Sequence, residues 1–164
     1  MKTLRYCFLT LSILIGSNTA LAEDVKESFP QEDTICSFQI LTDSTTKYDF
    51  GYACYFSGRS PKGRIAIDNL TKTKDYATIK RVLNGENNEG IIYAIEALLI
   101  LNTQNKIELT LNDKNEIKKI IERDLLITRC QGCFVSSIRT LTLFNEKSFK
   151  DLLKKNEIKV INNG

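Results

Sequence analysis

Residues 35–41 and 48–56 alternate between apolar and polar side chains. Cys36, Phe38 and Ile40 share one face of the first stretch. Tyr48, Phe50, Tyr52, Cys54 and Phe56 share one face of the second. A period of two is the pattern of a strand with one buried face. The residues between, Thr42-Asp43-Ser44-Thr45-Thr46-Lys47, have turn composition, so the two stretches predict a β-hairpin. A hairpin centred on Thr45 sets Cys36 directly across from Cys54, inside disulfide reach. Residues 64–70 read as a short strand with Ile65 and Ile67 on one face, and 107–111 as another with Ile107, Leu109 and Leu111. Residues 134–144 are β-rich, and Ile158, Val160 and Ile161 predict a last strand.

Helical spacing is rarer. Tyr76, Ile79, Lys80 and Leu83 predict a short helix, and Ile117, Ile120 and Ile121 another. Residues 91–101 are apolar almost throughout, which fits a core strand or a core helix equally. The best-marked helix covers 146–155. Asn145 is a suitable N-cap, Phe149, Leu152 and Leu153 form a stripe, and Lys154-Lys155 suit the negative end. The pattern as a whole predicts a mainly β fold, with α+β as second choice. The expected form is a disulfide-stapled, β-sandwich-like domain with one C-terminal amphipathic helix.

The first residues change the organisation. Lys2 and Arg5 precede an apolar stretch over 6–15, and Ala20-Leu21-Ala22 precedes Glu23. This is the layout of a secretory signal peptide, with an apolar core too short to span a bilayer. The expected organisation is a signal peptide over 1–22, a loose polar arm over 23–33, and one β-rich domain over 34–164. Cleavage removes Lys2, Arg5 and Cys7, so the charge of the 164-residue chain falls from +3 to +1 and its five Cys become four. A charge near zero argues against nucleic acid and anionic membrane as partners. No later segment is long and apolar enough to predict a stable membrane span. The expected location is exported: periplasm, secreted or cell surface.

Four Cys in an exported chain read first as disulfides. Cys36 and Cys54 pair in the hairpin, and Cys130 and Cys133 close a tight turn through Gly132. The second pair also has a redox reading, but the residues after it favour strand where a thiol–disulfide site wants a helix N-terminus. Zinc would need four thiolates, and no second C-x-x-C is present, so neither metal nor cofactor is predicted. The chain contains no His, which excludes Ser-His-Asp and Cys-His catalysis. Paired carboxylates remain by proximity only, Glu86 with Glu89 and Glu122 with Asp124. Alternation points most aromatics of 48–56 into the core and leaves Tyr55 on the other face as a binding aromatic.

From residue 91 onward the order of elements resembles the bacterial invasion-associated locus B family. An apolar stretch is followed by an alternating strand, by Cys130 and the Gly132-Cys133 pair, and by an amphipathic helix leading to a strand. Cys36 and Cys54 are similar to that family's N-terminal cysteine pair. The gap before Gly-Cys is shorter here, and the Trp near the family's mature start is absent. The resemblance implies a β-rich, disulfide-containing envelope protein associated with virulence or host interaction, and it brings no catalytic residues. The expected function is therefore a non-enzymatic exported protein that binds a host or envelope protein. The alternative is a periplasmic thiol–disulfide protein using Cys130 and Cys133.

Overall fold

Helix α4 (Asn88–Thr103) is the centre of the structure, a computed structural model that describes residues 29–160. It corresponds to the apolar stretch that periodicity left open. Ten of its residues are buried, from Gly90 to Leu101, and they lie all round the helix. A helix apolar on every face must be enclosed, and α4 packs against α2 (Lys62–Lys72), α3 (Tyr76–Val82), α7 (Lys147–Lys155) and β1 (Leu126–Gln131). Helices α1 (Phe29–Thr42), α5 (Leu111–Glu122) and α6 (Thr140–Phe144) and strand β2 (Phe134–Arg139) complete the described elements. Thr34–Gly164 forms one compact unit. The unit that ends at Asp33 lies outside the description except for the start of α1.

The β-rich expectation is overturned. Among the described residues there are seven helices and one sheet, the two-stranded antiparallel pair β1–β2. The reasons are local. In α1, the buried Ser37 and Leu41 are four residues apart, and Phe38 packs against the core between them. The segment is a helix in which Phe38 and Ile40 pack partly against the core while Cys36 faces solvent, so the alternating residues share no face and the hairpin of 35–41 with 48–56 does not form. In α2, Gly63, Ala66, Ile67 and Leu70 are buried at i, i+3, i+4 and i+7, while Ile65 faces solvent. The alternation at 107–111 leads into a helix start. Thr110 caps α5 by accepting from the Asp113 N–H at 3.2 Å, and Asp113 accepts from the Thr110 N–H at 2.8 Å. Residues 158–160 carry no strand, although Ile158 is buried.

Other expectations find counterparts. Helices stand at α3, at α5 and at α7, where the Phe144 and Phe149 rings pack 4.8 Å apart. Glu146, not Asn145, holds the N-cap position of α7. Helix α1 begins at Phe29, inside the segment expected as an arm. The proposed signal peptide over 1–22 lies outside the described residues.

The loop between α1 and α2 is held at its base by Asn87, the N-cap of α4. Asn87 Nδ2 donates to the Asp43 and Thr46 carbonyls at 3.0 and 2.9 Å, and its Oδ1 accepts from the Gly90 N–H at 3.0 Å. A methyl group on Gly90 would land on the Leu41 carbonyl oxygen, so this glycine sets how closely α1 approaches α4.

Candidate functional site

Residues 48–61 leave the core through Phe50, which is buried, and end in a loop of exposed aromatics. The Phe50 N–H donates to the Thr128 carbonyl at 2.7 Å, and the Cys130 N–H donates to the Phe50 carbonyl at 2.9 Å. The alternating segment therefore does pair, but parallel to β1 and at isolated positions. Further on, the Tyr55 N–H donates to the Gly132 carbonyl at 2.7 Å, in the turn that joins β1 to β2, where Gly132 has φ +60°. Between these ties stand Cys54 and Cys130, both buried, with Cα atoms 5.6 Å apart, the spacing of a disulfide.

This corrects both expected pairings. Cys36 is an exposed residue of α1 and Cys133 an exposed residue of the β1–β2 turn, and both carry free thiols. Cys36 cannot face Cys54 because the hairpin that would align them is absent. Cys130 opposes Val135, and its sulfur meets Cys54 rather than the turn, where Cys133 sits.

Beneath the loop lies a buried polar cluster. Tyr93 of α4 is fully buried, and its hydroxyl accepts from the Gly51 N–H at 2.7 Å, with the Asp49 and Gly51 carbonyls at 2.9 and 2.8 Å as its acceptors. One turn further along α4, Glu96 is buried and pairs with Arg64 of α2 at 2.5 Å. Its second oxygen accepts from the Tyr52 hydroxyl at 2.7 Å. The Arg64 guanidinium lies over the Tyr52 and Tyr93 rings, 4.0 and 4.7 Å from their centroids. Burial opposes the charged form of Arg64, but the Glu96 carboxylate outweighs it and the net shift is upward.

Although the Tyr52 ring is largely exposed, its hydroxyl turns in to Glu96, and desolvation there, followed by that hydrogen bond, pushes it up to about 12 from 10.0. Burial also raises Tyr48 and Tyr93. These phenols keep their protons in the folded state after the unfolded chain has lost its own. Their stabilisation is complete below pH about 10 and falls as pH climbs through 12. The urea midpoint is expected to follow that alkaline decline, and Tyr52→Phe is expected to make it shallower. Superimposable profiles for the two proteins would remove Tyr52 from this account.

The aromatics at the end of the loop face solvent. Phe56 is 99 % exposed, Tyr52 62 % and Tyr55 56 %. Tyr55 sits at φ +62°, a strained backbone for a bulky side chain. It is held there by its N–H bond to Gly132 and by its hydroxyl donating to the Asp49 carboxylate. Sequence reasoning singled out Tyr55 but assigned Phe56 and Tyr52 to the core. The usable signal was the flanking turn composition, Ser57-Gly58, which ends the alternation one residue after Phe56.

A cleft of about 380 Å³ opens beside the loop, lined by Tyr52, Glu96, Arg129, Cys130 and Phe149. Its cation is already matched, because Glu146 accepts from Arg129 through both oxygens, one bond measuring 2.9 Å. The four carboxylates raised by proximity also have protein partners. Glu86 accepts from Ser44 at 3.3 Å and Glu89 from the Thr128 N–H at 2.8 Å. Glu122 pairs with Lys118 at 3.3 Å, and Asp124 accepts from the Leu141 N–H at 3.1 Å. Asp49, Cys54 and Cys130 bring three ligand atoms within 4.8 Å of one another. Joined sulfurs are not thiolates, so only the reduced chain offers that set to a metal.

No family model, no curated protein and no solved structure matches this chain. The β-rich fold implied by the resemblance to the invasion-associated family is not the fold observed.

Proposed function

We propose that this chain is an exported, non-enzymatic protein that acts by binding a protein partner through Tyr52, Tyr55 and Phe56. The observation that carries the reading is the presentation of these three rings on a loop anchored to a helical scaffold. The loop is tied to β1 by Cys54 and Cys130, to the hairpin turn by Tyr55, and to the buried Arg64–Glu96 pair by Tyr52. Tyr52 and Tyr55 are fastened through their hydroxyls and so lose little conformational freedom on binding, and aromatic residues dominate the energetics of protein contacts. Export rests on the N-terminal charge and apolar pattern, and the absence of enzymatic activity on the lack of His and of any motif for catalysis. The invasion-associated resemblance contributes only the class of partner, an envelope or host protein. A thiol–disulfide role for Cys130 with Cys133 has less support, since the Cys130 sulfur is buried against Cys54. No helix of the described residues is long and apolar enough to cross a membrane.

A photo-crosslinking residue placed at Phe56 tests the reading in cells that express the chain. It is expected to yield one discrete adduct, lost when Tyr52 and Tyr55 are changed to Ala. The same residue at Leu111, exposed on α5, is expected to yield none. Identical adducts from both positions, or none from Phe56, would refute the loop as a binding face.

A further inference from the structure

Strand β2 is exposed on five of its six residues and is bonded to β1 along one edge only. The bonds between residue 50 and β1 settle which edge of β2 is open. Thr128 and Cys130 direct their backbone groups toward Phe50, so Ile127, Arg129 and Gln131 direct theirs toward β2. In the observed register these meet Ile138, Ser136 and Phe134. Val135 and Ser137 therefore point their N–H and C=O groups outward, and no backbone partner meets them among the described residues. Natural sheets protect such edges with charges, proline or bulges. In β2 the one such feature is Arg139 at its end, and residues 134–138, Phe-Val-Ser-Ser-Ile, carry no charge and no proline.

We propose that β2 pairs antiparallel with β2 of a second copy of this chain, about a two-fold axis through Ser136. Hydrogen-bond parity restricts the choice. Opposed residues must both point outward or both point inward, so the axis passes through a residue and never between two. An axis at Ser137 would set Val135 against Arg139 and Ser136 against Ile138, and an axis at Val135 would set Phe134 against Ser136, so neither gives Phe134 an apolar partner within the strand. An axis at Ser136 sets Val135 opposite Ser137 twice, each pair exchanging two backbone hydrogen bonds. On the other face it sets Phe134, 82 % exposed, against Ile138 of the second copy, with the two Ser136 side chains between. Aromatic and β-branched residues make favourable cross-strand pairs. The two Arg139 side chains fall at opposite ends of the paired strands, so no like charges oppose. The contact is isologous and closes at two copies.

Sedimentation velocity on the full chain over a rising concentration series tests this. A concentration-dependent dimer is expected. Ser137→Pro deletes an outward N–H, which an edge strand tolerates without loss of its own fold. It is expected to weaken dimerisation by about tenfold or more with an unchanged circular dichroism spectrum. In a Cys36→Ser, Cys133→Ser background, Ser136→Cys is expected to form an intermolecular disulfide readily. Ser137→Cys is not, because its symmetry mate lies two residues off register. A chain that stays monomeric throughout, an S137P variant that dimerises as tightly as the parent, or equal cross-linking at the two positions would each overturn the proposal.

Discussion

Glu96→Ala is expected to destabilise the fold by about 3–5 kcal/mol. The reason is not the strength of the Arg64–Glu96 pair as such. Both side chains are almost fully out of water, at 9 % and 4 % exposure, and the substitution leaves the Arg64 guanidinium buried without its counter-ion. The Tyr52 and Tyr93 rings face that cation and replace only part of the lost interaction. The Tyr52 hydroxyl also loses its acceptor, so the root of the aromatic loop loosens with the core. Glu96→Gln keeps an oxygen for Tyr52 and is expected to cost less than the alanine. Removing both charges, as Arg64→Met with Glu96→Leu, is expected to cost less than Glu96→Ala alone, because no charge is left stranded. Urea unfolding of the three variants checks the order. A loss below about 1 kcal/mol for Glu96→Ala would mean that water reaches Arg64 and that the cluster is not a closed core feature.

Cys54→Ser is expected to cost about 4 kcal/mol. The pair spans 76 residues, and cross-linking so long a loop removes much of the entropy of the unfolded chain. The same loss should follow reduction with a dithiol, whereas Cys36→Ser and Cys133→Ser, at exposed positions, should leave stability within about 0.5 kcal/mol of the parent. The effect should extend beyond stability. With the bridge gone, the loop keeps its hydrogen bonds to Thr128 and Gly132 but loses its covalent tie. Hydrogen exchange at Tyr55 and Phe56 should then rise more than exchange in α4. Uniform acceleration across α4 and the loop would argue that the bridge supports the whole fold and not the loop in particular.

How far the fold was legible follows from the kind of pattern each segment carries. Helices α5 and α7 have apolar residues at three- and four-residue spacing inside charged segments, and that contrast is unambiguous. In helices α1 and α2 the apolar residues also satisfy a period of two over the few positions that matter. Phe38 and Ile40 alternate, yet the fully buried positions are Ser37 and Leu41, with Phe38 and Ile40 packed only partly against the core. At Thr110 a stronger cue was present, because Thr-x-x-Asp is a capping box and marks the start of α5 against the alternation that precedes it. Helix α4 has no periodicity to read, since every face is buried.

The site was legible only in part. Cysteine spacing suggested bridges but not partners, because Cys54 and Cys130 are brought together by the path of residues 48–56 along β1, a long-range pairing with no local signal. The exposure of Tyr55 was legible from its phase in the alternation. That of Phe56 was not, because the alternation of 48–56 stops being strand-like before its last residue. The Arg64–Glu96 pair joins α2 to α4 across 32 positions. A lone acid in the middle of an apolar stretch was its only trace in the sequence.

The aromatic loop is fastened to β1 through Cys54 and Cys130. Non-reducing peptide mapping by mass spectrometry, after alkylation of the native protein, tests it most directly. One disulfide-linked species is expected, joining the Cys54 and Cys130 peptides, with Cys36 and Cys133 recovered as alkylated free thiols. A linked Cys36–Cys54 or Cys130–Cys133 species, or alkylation of Cys54 and Cys130, would contradict it.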